Sequence, residues 1–179
     1  DRVKIAHSVF DHFTEVVKSF GFEKIDAALF DLGVSSMQLD LSERGFSYSQ
    51  DAPLDMRMDQ SQGITAAEII NSWSHAEIAR ILRVYGEEKF ATRIADFIIR
   101  EREVAPITRT SALASLIKSA IPAAARRTGG NPAKRTFQAL RIAVNNELDV
   151  IESAIPQALN LLRSEEHTSE LQSRLHLVC

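Results

Sequence analysis

Two residues near the ends of apolar stretches carry the first chemical signal. Asp31 closes the apolar run in "KIDAALFDLGVSS". A carboxylate at the carboxyl edge of a strand can accept hydrogen bonds from an ammonium group or an exocyclic amine. That edge is where open α/β sheets bind ligands. A turn aspartate beside Gly33 is the plainer alternative. Phe10 follows "RVKIAHSV", whose Val3 and Ile5 alternate like a short strand ending near Ala6. An aromatic ring there can pack on a flat heterocycle or on the core, and the residues alone do not choose. Phe46 and Tyr48, in the long stretch after Asp31, pose a similar choice: they offer their rings to a ligand, or they clamp their own loop.

A second signal is electrostatic. Between Val104 and Arg141 lie seven basic residues, Arg109, Lys118, Arg126, Arg127, Lys134, Arg135 and Arg141, with no Asp or Glu among them. Residues 1–60 carry eleven acidic and six basic residues, so the sign reverses within a chain of net charge −3. Such segregation is the footprint of a site for a polyanion. Each Lys or Arg that neutralises a phosphate releases counterions, so binding of this kind weakens with salt. The alternative is a solvated helix face whose acidic partners sit elsewhere in the fold. Arg126, Arg127, Lys134 and Arg135 flank the Gly129–Gly130 turn. The latter pair opens a helix whose free amides favour phosphate.

Metal and thiol chemistry have little support. The five histidines include no pair at H-E-x-x-H spacing, and the single cysteine is the last residue, Cys179. His7 and His12 read as ordinary side chains, and no metal is expected.

The elements that must position these residues follow from periodicity. At 179 residues, 45% hydrophobic and 25% charged, the chain suits one domain, with or without an insertion, and not a disordered or low-complexity one. No apolar run is long enough to span a membrane, nothing directs the chain out of the cytoplasm, and the start "DRVKIAHS" suggests a fragment. Strand, helix, strand is the opening order: Phe13, Val16, Val17 and Phe20 fall at helical spacing, with Gly21 as the stop. The apolar run ending at Phe30 reads as a strand buried on both faces. Residues 41–63 show no period, yet their aromatic and Met content predicts an ordered loop. Helices follow. Thr65–Glu68 and Ser74–Glu77 each match the S/T-x-x-E capping box. Further helices carry Phe90, Ile94, Phe97 and Ile98, then Leu113, Leu116, Ile117 and Ile121 up to Pro122. Asn131 and Pro132 predict the start of another helix, whose stripe runs from Phe137 through Val144 and Leu148 to Ile151. Pro156 is expected to restart a short helix. The order is α/β first and all-α afterwards.

The stretch "DLGVSSMQLDLSERGFSYSQDAPLDMRMD" (31–59) resembles the RsmH family, also called MraW. "YGEEKFATRIADFII" (85–99) and "NPAKRTFQALRIAVNNEL" (131–148) match the same family in the same order. Members methylate N4 of a cytosine in the decoding region of bacterial 16S rRNA with S-adenosyl-L-methionine. The resemblance covers residues 1–162. It implies a partial class I, Rossmann-like SAM-dependent methyltransferase sheet with an inserted all-helical domain. Residues 1–46 would belong to the α/β domain, 47–134 to the insert and 135–162 to returning helices. It also implies cofactor contacts from Phe10, Asp31 and Gln38, with Asp31 the candidate catalytic residue. Arg126, Arg127, Lys134, Arg135, Phe46 and Tyr48 are the candidate contacts to 16S rRNA in the small ribosomal subunit. Met37 and Lys134 stand where members often carry Pro and Thr.

The family's glycine-rich loop and ribose-holding acid are expected before Asp1, and its closing strand after Leu162. Without that loop the chain alone is expected to be inactive. The stretch 163–179, "RSEEHTSELQSRLHLVC", fits no clean period and resembles a translated sequencing adapter, so it is set apart as a non-native tail. A second reading, from another class, is a non-catalytic RNA-binding helical module with the α/β part as scaffold.

Overall fold

The computed structural model describes residues 2–35, 42–126 and 130–163. Two of the candidate site residues, Gln38 and Arg127, lie outside them, as does all of the expected tail beyond Arg163. Two compact units divide the chain: one holds the described residues up to Gly33 and those from Asn146 onward, the other runs from Val34 to Asn145.

In the first unit a single turn of 3-10 helix, Phe10–His12, leads directly into α1 (Phe13–Ser19). Gly21, at φ 84°, ends this helical stretch in the left-handed conformation that glycine adopts without a Cβ clash. The last helix of the unit, Glu147–Leu161, packs against this segment through Gln157. Its Oε1 accepts the Thr14 amide at 3.0 Å, and its Nε2 donates to the Asp11 carbonyl at 2.6 Å. The helix runs straight through Pro156, where the sequence predicts a restart. Proline costs a helix one backbone donor; here Ala154, Ala158 and Leu161 are buried on both sides of it.

The expected strands carry no ladder among the described residues. Their one pairing is a parallel bridge between Ile25 and Leu162, with Ile25 donating to Leu161 and accepting from Arg163 at 3.0 and 3.1 Å. Ile5 is 89% exposed and Leu29 95%. An apolar pattern records that a segment suits burial between sheet neighbours; it does not supply those neighbours. The described residues are therefore mainly helical, and the methyltransferase sheet is not among them.

The second unit is a helical body. We number its helices α2 (Ala66–Ser72), α3 (His75–Val84), α4 (Ala91–Val104), α5 (Thr110–Ala120), α6 (Ala123–Arg126) and α7 (Lys134–Asn145). Glu147–Leu161 of the first unit is then α8. Both capping boxes form as the spacing predicts: Thr65 and Ser74 accept from the amides of Glu68 and Glu77, whose carboxylates reach back to the cap amides. Helices α3 and α4 form a hairpin, joined near its connection by Arg83 and Thr92 (3.0 Å), with Asp96 of α4 2.9 Å from His75 Nε2 at the start of α3. Ile78, Leu82, Ile94, Ile98, Ile117 and Leu140 are sealed in the core. Helix α7 starts later than Pro132. Asn131 caps a tight turn instead, its Oδ1 accepting the Ala133 amide at 2.9 Å and its carbonyl the Lys134 amide at 3.1 Å. The apolar stripe expected to continue to Ile151 is cut by Asn146, which takes φ 50° between α7 and α8.

Candidate functional site

In the first unit the aromatic residue preceding Asp31 forms the link to Phe10. The Phe30 ring meets Phe10 edge-on, centroids 5.8 Å apart and planes at 73°, and meets Phe13 at 5.5 Å. Phe10 keeps 41% of its surface exposed, and Asp31 is exposed. A partly uncovered aromatic ring is thus tied to a segment that carries an exposed carboxylate. A ring of that kind can pack on a flat heterocycle, and an exposed carboxylate can bind an ammonium. Nothing is described for Gln38, the third candidate contact.

In the second unit the loop after Asp31 is ordered and pinned along its described length. Gly45 (φ 72°) is required where the chain doubles back, since a Cβ there would collide with the Pro53 carbonyl. Arg44 Nη2 donates to the carbonyls of Arg57 and Met58, both at 2.8 Å. Its guanidinium also lies over the Phe46 ring at 5.9 Å. The Thr110 hydroxyl accepts the Ala52 amide at 2.9 Å and donates to the Gln50 carbonyl at 2.7 Å. Asp51 takes both Nε and Nη2 of Arg109, at 3.0 and 2.6 Å, and the Ser111 hydroxyl. The Arg109 and Ser111 bonds hold the Asp51 carboxyl well below the usual range, at about 2. Asp55 is lowered in the same way by its fork with Arg57.

These contacts bear on the two loop aromatics. Phe46 is only 8% exposed and belongs to the core cluster, so it clamps the loop and offers no open face to a base. Tyr48 is half-buried and stands edge-on to Phe137 at 5.7 Å. Of the basic candidates, Arg126 is half-buried at the end of α6, with Nε enclosed and making no hydrogen bond. Lys134 and Arg135 open α7; Arg135 is exposed and donates to the Glu87 carbonyl at 2.9 Å. Arg109 is spent on Asp51, so the run of seven does not act as one surface.

Helix α7 ties together the motifs singled out in the sequence. It reaches the first through Tyr48–Phe137 and through Asn145, which accepts the Met58 amide at 2.7 Å and donates to the Met56 carbonyl at 2.8 Å. It reaches the second through Gln138, donating to Tyr85 at 3.2 Å, and through Gly86, packed against the Arg135 backbone. Sequence reasoning misses Asn145, Arg44 and Gly86 as organising residues. Gly86 reads there only as a helix stop, and an Asn pair ending a helical run is the sole local hint of the hub. Among the described residues no group of three His, Cys, Asp or Glu could hold a metal ion, and no helix is long and apolar enough to cross a membrane.

The exposed ring, the carboxylate and the helical body sit in a methylase chain: residues 1–170 match the family model of the MraW methylase family, and the chain belongs to that family. It is 62% identical over 165 residues to the ribosomal RNA small subunit methyltransferase H of Salinispora tropica, covering 92% of this chain and 44% of that protein. The same-named proteins of a Parafrankia species and of Streptomyces avermitilis are each 57% identical over 162 residues, 90% of this chain and 50% and 51% of their own lengths. The chain spans about half the length of the curated relatives it matches.

Proposed function

We propose that the protein containing this chain is an enzyme that transfers a methyl group from S-adenosyl-L-methionine to the N4 amine of a cytosine in the decoding region of 16S rRNA. The observation that carries this reading is the 62% identity to a ribosomal RNA small subunit methyltransferase H. In this reading residues 1–46 and 135–162 serve the α/β domain and 47–134 form the inserted helical domain, although the described residues of 34–46 and 135–145 cluster with the helical unit, and the reaction takes place in the cytoplasm on the small subunit.

The bound cofactor supplies an electrophilic methyl group on a sulfonium. Phe10 packs on the adenine, Gln38 bonds the cofactor through its amide, and Asp31 orients the reacting edge. The N4 lone pair is delocalised into the cytosine ring. An acceptor that holds an N4–H therefore helps the nitrogen rehybridise as the N–C bond forms, the S–CH3 bond breaks to release the neutral thioether S-adenosylhomocysteine, and one N–H proton passes to solvent. The Asp31 carboxylate and nearby backbone carbonyls are the candidates for that acceptor. Much of the acceleration comes from alignment of amine and methyl. A base held in a helix must be unstacked before its amine can react, and Tyr48 is the loop aromatic proposed to stack on an unstacked base. Arg126, Arg127, Lys134 and Arg135 hold phosphates, which fixes the register of the RNA.

Calorimetry of S-adenosylmethionine binding to the full-length protein tests the assignment. Asp31→Ala and Phe10→Ala are expected to weaken binding about tenfold or more, each group contributing on the order of 1.4 kcal/mol. Unchanged affinity in both variants overturns the site.

A further inference from the structure

Residues 77–103 carry six basic and six acidic residues and so look neutral in the sequence. The fold sorts them. Asp96, one turn along α4 from Thr92, stands 2.9 Å from His75 Nε2 at the start of α3, and Glu77 is occupied in the Ser74 capping box at that same start. Glu101 and Glu103 fall on the last turn of α4, also away from the connection. Glu88, within the connection, is turned inward: it is 6% exposed and its Oε1 accepts the Phe90 amide at 2.9 Å. The closed end is left with Arg83, which is exposed and donates to Thr92, and with exposed Lys89. Arg135 joins them from α7, its guanidinium bonded to the Glu87 carbonyl and its backbone packed on Gly86. The Glu87 side chain is the exposed acid of this corner. Among the described residues no carboxylate forms an ion pair with Arg83, Lys89 or Arg135.

We propose that the closed end of the α3–α4 hairpin, presenting Arg83 and Lys89 beside Arg135, is a phosphate-gripping surface for the RNA backbone. The inference rests on the reading of the protein as an rRNA-binding enzyme and adds a second stretch of chain to its interface. RNA suits this corner because exposed, separately mounted cations match a row of phosphates. An acidic protein would be the other class of partner.

The test uses the full-length protein and a fluorescein-labelled RNA hairpin at 50 and 200 mM KCl. Arg83→Glu/Lys89→Glu is expected to weaken binding at least tenfold at low salt and to lower the salt slope by about two, near one for each phosphate no longer neutralised. Arg83→Lys/Lys89→Arg should bind as wild type. Because charge reversal can disturb folding, Lys89 in the wild-type protein is also followed by acetylation, and RNA is expected to protect it. Unchanged affinity and slope in a folded reversal variant, or unprotected Lys89 in an RNA complex, overturns the inference and leaves the enzymatic reading intact. A wild-type protein that binds no RNA overturns both. Protection of Lys89 by polyglutamate equal to that by RNA points to an acidic protein and contradicts the proposal.

Discussion

The side-chain amide of Asn145 donates to the carbonyl of Met56 at 2.8 Å, and Met56 is a fully buried residue held at φ 63°. A bulky residue in the left-handed region costs about 1–3 kcal/mol and persists only where its surroundings over-determine it. Asn145 supplies one side of that constraint, taking the Met58 amide as well, and Arg44 supplies the other by accepting the Met56 amide on its own carbonyl. Asn145→Ala leaves a donor and an acceptor of the loop unpaired, and is expected to cost roughly 2–4 kcal/mol. Urea unfolding measures it; a midpoint equal to wild type would show that the loop does not depend on α7.

Gly86 gives a second test of the hub. A Cβ there would lie 2.5 Å from the Arg135 carbonyl oxygen and 2.9 Å from that of Leu82, both backbone atoms. The obstacle is space, so Gly86→Ala must push α7 away from the end of α3. A destabilisation of about 1–3 kcal/mol is expected, typical of overpacking. An unchanged thermal midpoint would mean the two motifs are not in close contact.

The Asp51–Arg109 pair predicts an acid limb. A carboxyl whose folded pKa lies below its unfolded value adds stability above the unfolded value, and this contribution is lost as pH falls through the folded one. For Asp51, lowered from 3.8 to about 2 by Arg109 and Ser111, the window is therefore pH 3.8 down to about 2. Asp51→Asn should be less stable than wild type at neutral pH, and the difference should shrink across that window. Parallel stability curves from pH 5 to pH 2 would contradict the assignment.

The basic residues on either side of Gly129 and Gly130 in the sequence predict a salt effect. Replacing Arg126, Arg127, Lys134 and Arg135 by Ala in the full-length protein should weaken subunit binding and lower its salt slope by about one for each phosphate left without its cation. Affinity for S-adenosylmethionine should not change. A quadruple variant with the wild-type slope would reduce these residues to a solvated face.

Features fixed by a few neighbouring residues are legible in the sequence. The boxes at Thr65–Glu68 and Ser74–Glu77 form as their spacing predicts, because each needs only its own turn. The described part of the loop, residues 42–63, is ordered as its composition predicts, since Leu54 and Met56 had to be buried somewhere. Long-range effects are not legible. Asn146 breaks a stripe whose apolar residues continue on both sides, and Pro156 is carried inside α8 by burial of its neighbours. The apolar segments around Ile5 and Leu29 have the pattern of strands, although strand pairing depends on partners that their own residues do not specify. At the candidate site, the link between Phe10 and the segment of Asp31 emerges only through Phe30. The duties of Arg109 and Phe46 are hidden because Asp51 and the core reach them from distant positions.

The proposed reaction is methyl transfer to a cytosine amine of the small subunit, oriented by Asp31. Full-length protein, small ribosomal subunits lacking the modification and S-adenosylmethionine bearing a labelled methyl group provide the direct measurement, with the modified nucleotide located by mass spectrometry of digested 16S rRNA. Label is expected on N4 of one decoding-region cytosine, at a rate reduced about a hundredfold or more by Asp31→Ala. Label on another atom or another RNA, or an Asp31→Ala variant as fast as wild type, would contradict it.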